Sequence, residues 1–229
     1  MGLASPPITL IFGLALAHRG YLKIKNMIDN SLVVKLRGMT GAGIVDCKKV
    51  LEETNGDLEK AVDLLRKRGE LKAEKKGDRA TKSGLIHAYI HGGGGIGSMV
   101  EVVCETDFVA KNQDFQDFVH DIAMQVAASN PLYLSPEDIP AEVLEKEKEF
   151  YLADVEGKPS EIAVKIIEGK LQKFYSEVCL LKQSFFRDED ITVEALVKQK
   201  IGVIGENIQI KRFVRYALGG KTSSCDLEK

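Results

Sequence analysis

The chain has 229 residues, 44% of them apolar and 29% charged, with no tryptophan. That length and composition suit a soluble globular protein with one sizeable core and a small satellite domain. A net charge of −2 and a pI near 6.1 argue against bulk nucleic-acid binding, which needs a surplus of Lys and Arg to displace counterions from phosphates.

Residues 1–26 stand apart. Ile8 to Ala17 is an apolar run ending in Ala15-Leu16-Ala17, too short to span a bilayer and preceded by no positive charge. Met27 then opens a stretch that reads like a fresh cytosolic start. The readings are an upstream start codon wrongly assigned, an organelle-targeting leader, or a true signal. The first is preferred and places the protein in the cytoplasm; the second would place it in an organelle matrix.

Residues 27–69 predict three short helices. NSLVVKLRGM has Asp29, Asn30 or Ser31 to cap its start. The two glycines of Thr40–Gly43 allow a tight reversal. IVDCKKVLEET stops at Asn55-Gly56, and Asp57 caps LEKAVDLLRKRG, which is expected to end at Gly69. Leu58, Ala61, Val62 and Leu65 share one face and meet Val50 and Leu51. This pattern is similar to a three-helix bundle of the ubiquitin-associated type. A polar run, residues 70–83, reads as a charged, solvated linker.

The period then changes to two. Gly84 to His91 alternates Ile86, Ala88 and Ile90 against His87, Tyr89 and His91; Ser98 to Glu105 alternates Val100, Val102 and Cys104 against Met99, Glu101, Val103 and Glu105. Each predicts a strand with one apolar face. Between them Gly92, Gly94 and Gly97 satisfy G-x-G-x-x-G. A dinucleotide cradle needs a helix after its glycines, and here a β-branched strand follows, so the run is read as a hairpin loop. His87 and His91 lie two apart on one strand face, where a metal pair is conceivable and a half-exposed polar face is the simpler reading.

Asn112 should cap a helix with Phe115, Phe118, Val119, Ile122 and Val126 on one stripe, ending at Asn130-Pro131. Residues 106–111, TDFVAK, thus form a short connection from strand to helix. It carries Phe108 and Val109 where a connection is normally polar. Residues 141–180 predict a charge-rich helical arm, residues 192–205 a helix, and residues 206–220 a strand with Ile208, Ile210, Val214 and Tyr216 on one face. That strand completes a three-stranded antiparallel sheet, and residues 221–229 read as a frayed tail.

The four cysteines, Cys47, Cys104, Cys179 and Cys225, are scattered, with no Cys-x-x-Cys and no histidine at ligand spacing. They read as reduced thiols, not a zinc site. No Ser/His/Asp or Cys/His set suggests a catalytic centre, and no metal or cofactor is expected. Asp107 beside Phe108 reads as a loop-positioning residue in preference to a general base.

Taken together, LRGMTGAGIVDCKKVLEETNGDLEKAVDLLRKRG, ETDFVAKN, IAMQVAASNP and IGENIQIKRFVRYALG resemble the elongation factor Ts family, in the family's order over most of residues 32–218. The resemblance implies an α+β fold: the bundle at 27–69, then at 84–220 a dimerisation domain with a small antiparallel sheet packed by helices and the helical arm. It implies a guanine nucleotide exchange factor that acts on the GTPase domain of elongation factor Tu and is not itself an enzyme. Carried over, Thr106, Asp107, Phe108 and Val109 contact that domain, with the Phe108 ring wedged near the partner's magnesium and phosphate site. Ile44 and Val45 make a second contact where relatives usually carry methionine. Gln125 stands where the family commonly has histidine. Only one sheet-and-helix lobe is evident, as in short relatives that dimerise; a homodimer through the sheet domain is therefore expected, with no direct nucleic-acid or membrane partner. Two competing readings are a ubiquitin-associated-like, peptide-binding adaptor, which leaves TDFV unexplained, and a nucleotide-dependent enzyme, weakened by the strand after the glycines.

Overall fold

The computed structural model describes residues 29–155, 159–220 and the backbone of 223–225. Residues 1–26, read as a wrongly assigned start or a leader, residues 156–158 of the expected arm, the Cys225 side chain and the ends of the tail lie outside the described residues. The chain divides into two compact units, one up to Leu65 and one from Arg66.

The first unit is helical. α1 spans Asn30–Thr40, α2 Ile44–Glu53, and α3 begins at Leu58 and runs to Glu74. The Asp29 carboxylate accepts the Ser31 amide at 3.0 Å and caps α1. Gly41, at φ 68°, ends that helix in the left-handed region that glycine tolerates. Val33, Leu36, Cys47, Val50, Leu51 and Ala61 are buried together, with Leu58, Val62 and Leu65 packed against them.

Gly69 is not a helix stop: α3 passes through it, so the charged run begins as helix. A single glycine inside a helix costs only about 1 kcal/mol. A Cβ built on Gly202 would lie 2.8 Å from Gly69 Cα, so Gly202 cannot carry a side chain where the two backbones cross, whereas a Cβ on Gly69 would meet only ordinary contacts at 3.9 and 4.0 Å. Gly202 belongs to α8, Val193–Ile204.

The second unit holds a four-stranded antiparallel sheet in the order β1-β2-β5-β6. β1 is Ser83–His91, β2 Ile96–Cys104, β5 Ile208–Ala217 and β6 Ser223–Cys225. The glycine run forms the β1–β2 turn, with Gly92, Gly93 and Gly94 at φ 44°, 72° and 88°. β6 is an addition to the three strands expected; part of the tail pairs with Phe213–Arg215. α4, Asp107–Ala110, is a single turn after β2. α5, Gln113–Ser129, crosses the inner sheet face, burying Phe115, Phe118, Val119, Ile122 and Val126 against Val100, Val102, Cys104, Ile208, Ile210 and Phe213. α6 (Ala141–Ala153) and α7 (Ser160–Val178) form the arm. A short hairpin, β3 Ser184–Phe185 and β4 Asp188–Thr192, leads into α8.

Two strand faces differ from the alternation read in the sequence. In β1 the apolar residues Ile86, Ala88 and Ile90 point outward, while Leu85, His87 and Tyr89 lie toward α5. In β5 a bulge opposite Glu101 and Val102 leaves Lys211 unpaired and reverses the phase beyond it. Phe213 therefore turns inward, and Val214 and Tyr216 turn outward.

The crossing of α3 and α8 separates two glycines of the same chain. Gly202→Ala should destabilise the fold by about 1–3 kcal/mol, because the new methyl meets backbone. Gly169→Ala in α7, where a Cβ meets nothing within 4 Å, should stabilise by about 0.5–1 kcal/mol. Chemical denaturation of the two variants checks the opposite signs.

Candidate functional site

The connection from β2 to α5 folds as α4, with Thr106 as its cap: the Val109 amide donates to the Thr106 hydroxyl oxygen at 3.4 Å. One turn of helix places Val109 half-buried against the core and sends Phe108 the other way, 82% exposed. An isolated turn this short has no stability of its own. Asp107 is exposed and pairs with Lys111 at 2.9 Å. The hydrogen bond and charge of that ammonium hold the Asp107 carboxyl below its ordinary range. It positions its own turn and faces no proton-transfer partner.

Residues that the sequence reading passed over hold this turn in place. The amides of Glu105 and Thr106 donate to Glu206 Oε2 at 3.1 and 3.0 Å, and the Thr106 hydroxyl donates to Oε1 at 2.7 Å. The Asn207 amide returns the contact by donating to Glu105 Oε1 at 2.6 Å. The buried Asn207 side chain donates to the carbonyls of Gly77 and Arg79 at 3.1 and 2.8 Å, and Arg79 pairs with Glu105 at 3.6 Å. The Cys104 thiol donates to the Thr106 carbonyl at 3.1 Å. Burial and then the nearby Glu206 charge push that thiol's pKa up, which keeps it a donor. The signal in the sequence was Glu-Asn at the entry of a strand, two polar residues where β5 should already be pairing.

Ile44 and Val45 lie at the first turn of α2, 57% and 66% exposed. They belong to the first unit, and Thr106–Val109 to the second. Gln125 is fully buried: its amide donates to Ser129 Oγ at 2.9 Å and to the Ser184 carbonyl at 3.1 Å, and its oxygen accepts the Phe186 amide at 2.9 Å. It staples α5 to the β3–β4 hairpin.

His87 and His91 do not converge on a metal. His87 Nε2 meets His120 Nδ1 at 2.9 Å beneath β1, and His91 meets the Tyr89 hydroxyl at 2.9 Å. Among the described residues no group of three or more His, Cys, Asp or Glu is placed to hold a metal ion. Cys47, Cys104 and Cys179 are buried.

A sequence model of the family described as elongation factor TS matches residues 46–220. Relatives named "Elongation factor Ts" align over 84% of the chain. Those of Carboxydothermus hydrogenoformans and Moorella thermoacetica are 54% and 55% identical over 195 residues, covering 90% and 96% of their own lengths. That of Coprothermobacter proteolyticus is 56% identical over 194 residues, covering 98%. The chain belongs to the elongation factor Ts family.

Within that elongation factor Ts frame, a helical N-terminal region followed by a sheet-containing domain is the architecture the sequence resemblance implied. Gln125, at the position where histidine was expected, is occupied by the chain's own backbone and side chains. No helix among the described residues is long and apolar enough to cross a membrane.

The histidine pair yields a pH dependence. Burial, then the His120 charge, lowers the pKa of His87 below its ordinary 6.5. Below 6.5 the unfolded chain takes up a proton that the folded chain resists, so this stability is present above 6.5 and is lost as pH falls through the folded value. Melting temperature should drop from pH 7.5 to pH 5.5. His87→Gln should flatten that part of the profile, read by circular dichroism.

Proposed function

We propose that this chain is a guanine nucleotide exchange factor for elongation factor Tu in translation elongation, acting in the cytoplasm through protein contacts and not through bond-making chemistry. The observation that carries this reading is Phe108. A large aromatic ring stands 82% exposed on a turn held by three hydrogen bonds from its entry to the distant Glu206 and by two local ones. Leaving so much apolar surface in water has no value to this fold alone, and pinning it down suits insertion into a partner.

Exchange then follows from linkage. A protein that binds the nucleotide-free form of its partner more tightly weakens nucleotide binding by the same factor. Burying a Phe side chain contributes roughly 1.5–3 kcal/mol. If its pocket opens only when the partner's magnesium and phosphate site is distorted, that one ring accounts for about a ten- to hundredfold loss of GDP affinity. In this reading Thr106, Asp107 and Val109 set and flank the ring, and Ile44 and Val45 supply a separate apolar anchor on the GTPase domain.

The proposal includes a homodimer through the sheet domain. Its support is the outer sheet face more than a strand edge. Ile86 and Ala88 with Ile90 on β1, Met99 on β2, and Val214 with Tyr216 on β5 lie in adjacent rows by register. Ile86, Ile90 and Tyr216 are each more than 60% exposed. Face-to-face packing with a second copy would remove this surface from water and create an isologous contact.

Phe108→Ala should slow release of fluorescent GDP from elongation factor Tu by about ten- to hundredfold at equal factor concentration. Its melting temperature should stay within about 2 °C of the parent, because the ring contributes little to its own core. Release at parental speed would remove the wedge; a variant that melts early and binds nothing would make Phe108 a core residue instead. For the dimer, Ile90→Glu with Met99→Glu should give a monomer by sedimentation velocity where the parent is a dimer; a parent that sediments as a monomer refutes the assembly.

A further inference from the structure

We propose that Glu206 is a positioning residue for exchange: its carboxylate, projecting from the α8–β5 turn, holds α4 in the one arrangement that points Phe108 outward. The inference rests on the exchange reading above and assigns the means by which the ring is kept in place.

Three donors converge on this single side chain from 101 or 100 residues away, namely the Glu105 amide, the Thr106 amide and the Thr106 hydroxyl. They are the groups at the entry to α4. A carboxylate only accepts hydrogen bonds, so the Thr106 hydroxyl proton must point toward it. The oxygen of that hydroxyl is then left with lone pairs for the Val109 amide, the bond that closes the turn. Glu206 therefore fixes both the start of α4 and the polarity of its cap. Without it, the four-residue turn would keep only the Cys104 bond and the Val109 packing as outside support, and a turn this short has no stability of its own.

The carboxylate is itself held. Gly205 ends α8 at φ 88°, and its carbonyl accepts from the Lys76 ammonium. Asn207 is bound on one side to Glu105 and on the other to the carbonyls of Gly77 and Arg79. The Glu206 carboxylate accepts the Glu105 amide and the Glu105 carboxylate accepts the Asn207 amide across the ends of β5 and β2, just past the last paired residues Cys104 and Ile208. The ladder continues through side chains for one more step, and α4 begins from that fixed point. Phe108 touches neither carboxylate in this scheme; Glu206 acts on it only through the backbone of α4.

The test uses the full chain. Because it has no tryptophan, Phe108→Trp places a single reporter on α4. Adding Glu206→Gln should lower the indole anisotropy, while far-UV circular dichroism shows the fold retained; unchanged anisotropy overturns the proposal. In GDP release from elongation factor Tu at saturating factor, Glu206→Gln should lower the maximal rate about tenfold, the loss expected for one charge-assisted network. On a Phe108→Ala background the same change should cost less than about twofold, since a residue acting through Phe108 has nothing left to position. Thr106→Val should reproduce the Glu206→Gln defect and Thr106→Ser should not. Equal losses on both backgrounds would mean that Glu206 acts generally on the fold, and would overturn the proposal. If Phe108→Ala slows release and Glu206→Gln does not, only the role of Glu206 falls. If Phe108→Ala leaves release at parental speed, the wedge reading falls and takes this proposal with it.

Discussion

A four-residue helix cannot hold itself together in water, and the most exposed aromatic ring among the described residues sits on one. The closure entropy of a single turn exceeds what its internal hydrogen bonds return. The turn therefore exists because bonds reach it from outside: the Glu206 carboxylate at its start, the Cys104 thiol on the Thr106 carbonyl, and Val109 packed into the core below. Under the proposed exchange role, rigidity at this point is what makes an exposed Phe108 useful. A ring on a loose loop would have to be ordered on binding, and that cost would come out of the free energy available to disturb a bound nucleotide.

The same logic runs through the sheet domain. α5 packs on one face, with α8 beside it against β5, and that face is where the core lies. The other carries apolar side chains in register across three strands with nothing from the described residues packed on it. The Glu101–Arg212 pair at 2.6 Å interrupts that surface, so it is apolar with a polar marker inside it. A face of this kind has orientation as well as area, which is what a self-complementary contact requires.

Much of this was legible in the order of residues. The helices of the first unit, their caps, the glycine turn and the α5 stripe all follow from short-range patterns. The exposed ring was also visible as an anomaly, an apolar residue in a connection. Three things were not legible. Gly69 looks like a helix stop, yet α3 runs through it, and its Cα lies where Gly202 has no room for a side chain. The inward face of β1 is set by α5: Leu85, His87 and Tyr89 pack under it although Ile86 and Ile90 are more hydrophobic. The phase of β5 changes at a bulge whose position depends on the partner strand.

What the sequence determined by itself is local: which segments are helix or strand, where they turn, and that an aromatic side chain stands in the connection after β2. These follow from spacing and backbone preference within a few residues. What only the tertiary structure decided is everything that joins distant segments. It chose which face of a strand is inside, let two glycines touch, buried Gln125, and brought Glu206 to the start of α4. Those outcomes depend on pairs from 33 to some 130 residues apart, and one-dimensional order carries no distance between such pairs until the core has closed around them.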